Sequence, residues 1–223
     1  MHFDRSLVVL GVVLVALLAC KKNEAAATIE QHRPQVEPRL ATAKRIAAEL
    51  RTLAPLTQDG ATLDAGPLTL SSPANARASD TAVMEPESLL PQLESSLATR
   101  YSKAGQLAWC ARLLGNKYAD PSKSVAEQYL GLCANAKYLL VVRELERKDG
   151  TVGEDKSTFQ AGKARGEVRV FRLDSGKALG GFRFEAENSD LVSGRDEAAL
   201  RTDLDNQLDK AVNAGIEQHL GGS

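Results

Sequence analysis

Two hydrophobic periods divide the chain from residue 36 onward. Val36, Leu40, Ala43, Ile46, Ala47, Leu50 and Leu53 recur every three or four residues, so they form the apolar stripe of an amphipathic helix. Pro38 suits its first turn, where a missing N–H costs nothing, whereas Pro34 argues against an unbroken helix from Ile29. The helix is expected to stop before Pro55. Residues 56–86 are rich in Gly, Pro, Ser, Thr, Asp and Asn and read as loop, with short candidate strands at 67–71 and 81–85. Leu89, Leu90, Leu93, Leu97 and Tyr101 give a second helical stripe. Residues 106–114 give a short third helix, stopped by Gly115-Asn116. Ser124-Val-Ala-Glu127 has the form of a capping box, behind which Val125, Tyr129, Leu130 and Cys133 share a side.

After Asn135 the period becomes that of strands. Residues 137–146 are branched and apolar, as in a buried strand, and the polar stretch 147–157 reads as loop. In 166–174, Val168 and Val170 point one way, and Arg169, Phe171 and Leu173 the other. Asp174-Ser175-Gly176-Lys177 is turn chemistry, and 178–187 returns with Phe182, Phe184 and Ala186 on one face, which makes a hairpin. Gly180-Gly181 marks a bulge or a close backbone approach. Leu200, Leu204, Leu208, Ala211, Gly215 and His219 line a long C-terminal helix, which a half-exposed antiparallel sheet needs on its apolar face. The expected fold is therefore α+β: an N-terminal helix, a helical segment, then a three-stranded antiparallel sheet packed against a long C-terminal helix.

The front of the chain has a different character. Residues 7–19 are a thirteen-residue apolar run ending on Cys20 and followed by Lys-Lys-Asn-Glu. Crossing a bilayer takes about 20 apolar residues, so the run suits the core of a signal peptide better than a spanning helix. Leu17-Leu18-Ala19-Cys20 resembles the lipobox of bacterial lipoproteins. That resemblance implies cleavage before Cys20, a diacylglycerol on its sulfur and a further acyl chain, such as palmitate, on its new amine; two or more chains hold a protein on a membrane stably. Lys21, where some bacteria place a retaining aspartate, favours the outer membrane. The expected organisation is a signal peptide at 1–19, a lipid anchor and tether at 20–35, and one α+β domain at 36–223. The expected address is the bacterial cell envelope, facing the periplasm.

Charge narrows the partners. The formal net charge is −1, with no basic excess to support a nucleic-acid partner, and aromatics make up only 4% of residues, which argues against a carbohydrate-stacking surface. With Cys20 assigned to lipid, Cys110 and Cys133 remain as a pair in an exported chain, where disulfides are permitted; two free buried cysteines are the alternative. No CxxC and no further ligands accompany them, so neither catalysis nor zinc is expected there.

Searching for chemistry gives little. His32 falls in the tether and His219 near the end of the last helix, where a cation suits the helix dipole. No GxSxG elbow or GxxxxGK[ST] loop is present, because Ala164 and Ala178 follow the Gly-Lys pairs. Glu185, Glu187, Asp190, Asp196 and Glu197 could form a loose calcium site, but their spacing is not that of an EF-hand, and solvated charge explains them. No catalytic residue, metal or cofactor is assigned. Residues 125–220, with YLLVVRE and VRVFRLDSGKAL ahead of a helix, resemble the sheet domains of the curli-secretion and penicillin-binding-protein-activator lipoprotein group. That likeness implies a non-catalytic role in binding or positioning an envelope protein of unknown identity. The alternative is an exported hydrolase or small-ligand binder with a site built from scattered carboxylates.

Overall fold

Tyr138 through Val142 are buried without a break, which a strand shows only when both its faces are covered. They open the central strand β3 (Tyr138–Lys148). The computed structural model describes residues 5–50, 52–64, 68, 81–84, 106–115, 121–154, 158–190, 192 and 196–221, with side chains from Glu24 onward except that of Val83. Around β3 lies a five-stranded sheet in the order β1 (Gly60–Ala61), β7 (Ala178–Glu187), β6 (Lys163–Arg172), β3, β2 (Thr81–Met84). The β6–β7 hairpin and β3 pair antiparallel, β1 adds antiparallel to β7, and β2 runs parallel to β3, with Thr81 opposite Tyr138 and Met84 opposite Val141.

The α+β class is thus the one adopted, but the sheet is mixed and five-stranded rather than a three-stranded antiparallel meander. Its extra strands come from the loop-rich segment far upstream, and a parallel partner leaves no local hairpin signature. Nor is the sheet half-exposed. On one face Leu139, Val141 and Phe171 pack with the helices α1 (Arg5–Leu50), α2 (Gln106–Leu114) and α3 (Lys123–Asn135). On the other, Tyr138, Leu140, Val142, Val168, Val170, Phe182 and Phe184 pack with α4 (Glu197–Leu220).

Several local expectations shift. α1 is continuous through Pro34 and Pro38, against the break expected near Pro34. Both prolines are on the exposed side, where carbonyls deprived of a partner can meet water, while Val36 and Leu40 beside them are buried. Arg33 and Arg39 fasten this stretch by donating to the carbonyls of Leu114 (3.3 Å) and Ala136 (3.1 Å) at the ends of α2 and α3. The stretch expected as a tether is also helical, and Ala25, Thr28 and Ile29 within it are buried. α2 has its expected bounds. α3 is capped by Ser122, whose hydroxyl accepts from the Val125 N–H (3.2 Å), so the Ser124–Glu127 box does not form.

The buried stripe of α4 is Leu200, Leu204, Leu208, Val212, Ile216 and Leu220. Ala211, Gly215 and His219 stand one position aside, half-buried, because the contact follows the inclined four-residue ridge of the helix instead of its axis. The polar stretch after β3 contains the small ribbon β4 (Thr151–Val152) with β5 (Phe159–Gln160). Gly180-Gly181 serves both expected purposes. The β6–β7 register shifts at Val170/Phe171, opposite this stretch, and a Cβ on Gly180 (φ +113°) would overlap the Gly60 carbonyl oxygen of β1. The candidate strand at 67–71 and the stripe at 89–101 lie outside the described residues, apart from Leu68, which is buried in the α4-side core.

Candidate functional site

Residues directly opposite on neighbouring strands share a face, so the register of β3, β6 and β7 shows how one face of the sheet changes along its length. Under α1 to α3 it is apolar, with Leu139 opposite Phe171. Next comes a charged row, Arg143, Glu167 and Arg183, with Arg169 one step nearer the apolar part. Beyond it are two more rows: Glu146, Arg165, Glu185 and then Lys148, Lys163, Glu187. On β6 and β7 the opposite face stays apolar under α4 as far as Ala164 and Ala186.

Glu167 is fully buried. Its carboxylate pairs with Arg143 (3.0 Å) and Arg169 Nε (2.7 Å) and accepts the Leu56 N–H (2.7 Å). The same arginines donate to carbonyls of the segment leaving α1: Arg143 to Leu50 and Leu53, Arg169 to Ala54. A buried carboxylate is tolerable only when its charge and lone pairs are met, as here. The result is a polar clasp that draws residues 50–56 over the sheet. Asp59 extends it, accepting from the backbone N–H (2.9 Å) and Nε (3.0 Å) of Arg183, whose guanidinium holds the Asp59 carboxyl below its usual range.

Past the clasp the sheet face opens. The ends of β3, β6 and β7 line a groove of about 950 Å³ bordered by Leu145, Glu146, Lys148, Lys163, Arg165, Glu185 and Glu187, among others. A bulge between Glu144 and Glu146 shapes it. The extra residue, Leu145, is 37% exposed, and the shift turns Glu146 to the groove and Arg147 to α4, where it meets Asp205 (2.8 Å). Inside the groove Arg165 pairs with Glu146, and Lys163 with Glu187 (3.1 Å). β1 covers β7 only at Gly180 and Gly181, and among the described residues no strand pairs with the outer edge of β7 from Phe182 to Glu187.

The residues singled out from sequence are dispersed. Cys110 and Cys133, on α2 and α3, come together as a disulfide (S–S 1.96 Å), buried and beside the stacked rings of Trp109 and Tyr129. Cys20 lies within α1. His219 stacks on Phe182 (5.4 Å), and His32 is half-buried on α1. The acidic group around 185–197 separates: Glu187 pairs with Lys163, Asp196 caps α4 by accepting from Ala199 N–H (2.7 Å), and Glu197 occupies its first turn. No group of three or more His, Cys, Asp or Glu among the described residues is placed to hold a metal ion. Sequence reading missed Glu167, Arg143 and Arg169. The one available signal was charge at Glu167 and Arg169 on the same side of the strand as Phe171 and Leu173.

No family profile and no curated protein matches the chain. A solved structure of a hypothetical protein from Chlamydia trachomatis is similar over 62% of this chain and 91% of that one, at 18% identity and a TM-score of 0.25. Among the described residues no helix is long and apolar enough to cross a membrane.

Proposed function

We propose that the protein is a lipid-anchored, non-catalytic module of the bacterial envelope that binds or positions another envelope protein. The lipobox-like Leu17-Leu18-Ala19-Cys20 supports the anchor. The observation that carries the binding role is the free end of the sheet: three long strands run past the helical layer into an exposed, charged groove beside the outer edge of β7, which beyond the Arg183 N–H held by Asp59 has no strand partner among the described residues. An open edge offers unpaired backbone N–H and C=O groups to an incoming extended segment, and charged side chains beside it keep that pairing selective.

Arginines tie down several aspartates around the sheet. Here the Asp59, Asp149 and Asp174 carboxyls are each held below their usual range, chiefly by hydrogen bonds from Arg183, Arg147 and Arg172 respectively. Such groups are fixed as charged struts.

The test places a photocrosslinking residue at Glu185, and separately at exposed Glu127 on α3, in the full chain expressed in its own envelope. The reading expects a discrete adduct with a different protein from position 185, absent from position 127 and lost when Lys163 and Arg165 are both changed to Glu. Recovering the protein alone, or the same adducts from both positions, counts against it.

A further inference from the structure

Where the folded body stands relative to its anchor follows from α1. Cys20 lies inside this helix, and among the described side chains Ala25 is the first that is buried, followed by Thr28 and Ile29. Five residues of helix span only about 7.5 Å. No flexible spacer therefore separates position 20 from the body.

The contacts of α1 also rank the domain by height. Glu24 lies 3.9 Å from Lys123 at the start of α3, and Arg33 reaches Leu114 at the end of α2. Higher up, Arg39 meets Ala136 just ahead of β3, Arg45 meets Ser175 in the hairpin turn (3.4 Å), and the Leu50 carbonyl meets Arg143 midway along β3. Leu50 is about 45 Å along the helix from Cys20. β3 runs in the same direction, and from Arg143 to Lys148 it climbs about 15 Å more. The groove thus sits at the pole opposite Cys20, and the start of α3 sits at the near pole.

We propose that the anchored chain stands upright on its bilayer, with the turns of α1 that follow Cys20 and the start of α3 against the lipid headgroups and the β3–β6–β7 groove roughly 60 Å away. The near pole is suited to a headgroup surface with an anionic component: Lys21 and Lys22 follow Cys20 directly, and exposed Lys123 lies alongside, 3.9 Å from Glu24. The groove then presents its edge to whatever lies across the compartment, not to neighbours lying flat on the same membrane. This inference rests on the anchored-module reading.

The experiment uses the mature chain purified from its own envelope and reconstituted in phosphatidylethanolamine–phosphatidylglycerol vesicles carrying a headgroup-linked energy acceptor. A fluorescent residue replaces Lys123 or Lys163, both exposed. Transfer from position 123 should exceed that from position 163 severalfold. A long Gly-Ser insertion between Cys20 and Glu24 should erase most of the difference. Equal transfer from the two positions in vesicle-bound protein overturns the upright placement while leaving the anchor standing. Protein that binds vesicles no better than its Cys20→Ala variant overturns the anchor and the placement together.

Discussion

Glu167 shows how a single residue can hold a segment that has no secondary structure of its own. Its carboxylate neutralises Arg143 and Arg169, and these in turn occupy the carbonyls of Leu50, Leu53 and Ala54. Truncating one member of such a buried group strands the others. Glu167→Ala should therefore cost about 3–5 kcal/mol in urea unfolding, and limited proteolysis should begin near residues 52–56. Two glycines should respond oppositely to alanine. A Cβ on Gly181 would overlap the Val168 carbonyl oxygen, so Gly181→Ala should lower the unfolding midpoint by about 1–3 kcal/mol equivalent. Gly131 is inside α3 with open space around its missing Cβ, and Gly131→Ala should stabilise by about 0.5–1 kcal/mol.

At the scale of elements the question is what starts each helix and what fastens it. Ser122, not Ser124, caps α3, so Ser122→Ala should cost about 1 kcal/mol, while Ser124→Ala leaves stability within about 0.5 kcal/mol. Equal losses from the two would favour the capping box that the sequence suggested. α4 is fastened to the end of β7 by Asp203, which accepts from Asn188 Nδ2 (2.9 Å) and from the Ser189 N–H (2.8 Å) and hydroxyl (2.9 Å). Burial pushes this carboxyl up, but the hydrogen bonds from Asn188, Ser189 and Gln207 together bring it below its ordinary value of 3.8. With the folded value depressed, the stabilisation is complete above the unfolded value and fades as pH falls through the folded one. Stability measured from about pH 5 downward should drop more steeply in the native chain than in Asp203→Asn, which has no charge to lose there.

For the whole molecule, the sheet is held between two helical layers that meet the chain at different places. The α2–α3 pair on one side is tied by the Cys110–Cys133 bond. Reducing it, or replacing both residues with Ser, should lower stability by about 3 kcal/mol for a separation of 23 residues, read as a shift in the urea midpoint. α1 crosses this layer from end to end and delivers residues 52–59 to the charged part of the sheet. The architecture thus has an apolar, cross-linked layer under α1 to α3 and a polar, open end of the sheet beyond it.

Much of this was legible residue by residue. The bounds of α2, the start of β3, the β6–β7 hairpin with its Asp174–Lys177 turn and the double glycine are all local patterns, since period, turn chemistry and propensity act over a few neighbouring residues. Cys110 and Cys133 were legible as a pair because the export expected from the front of the chain would set Cys20 aside and leave two. Other features were not. Thr81–Met84 becomes a parallel partner only because β3 is there to receive it, and alternation along 166–174 cannot say that Phe171 and Val170 are both buried until helices cover both faces. Pro34 survives inside α1 because distant carbonyls on α2 and α3 pin that turn. Glu167 looks like surface charge until the register sets it between two arginines. Local sequence decides which conformation a segment prefers; which segments meet, and so which charges are buried or left at an open edge, depends on contacts across the whole chain.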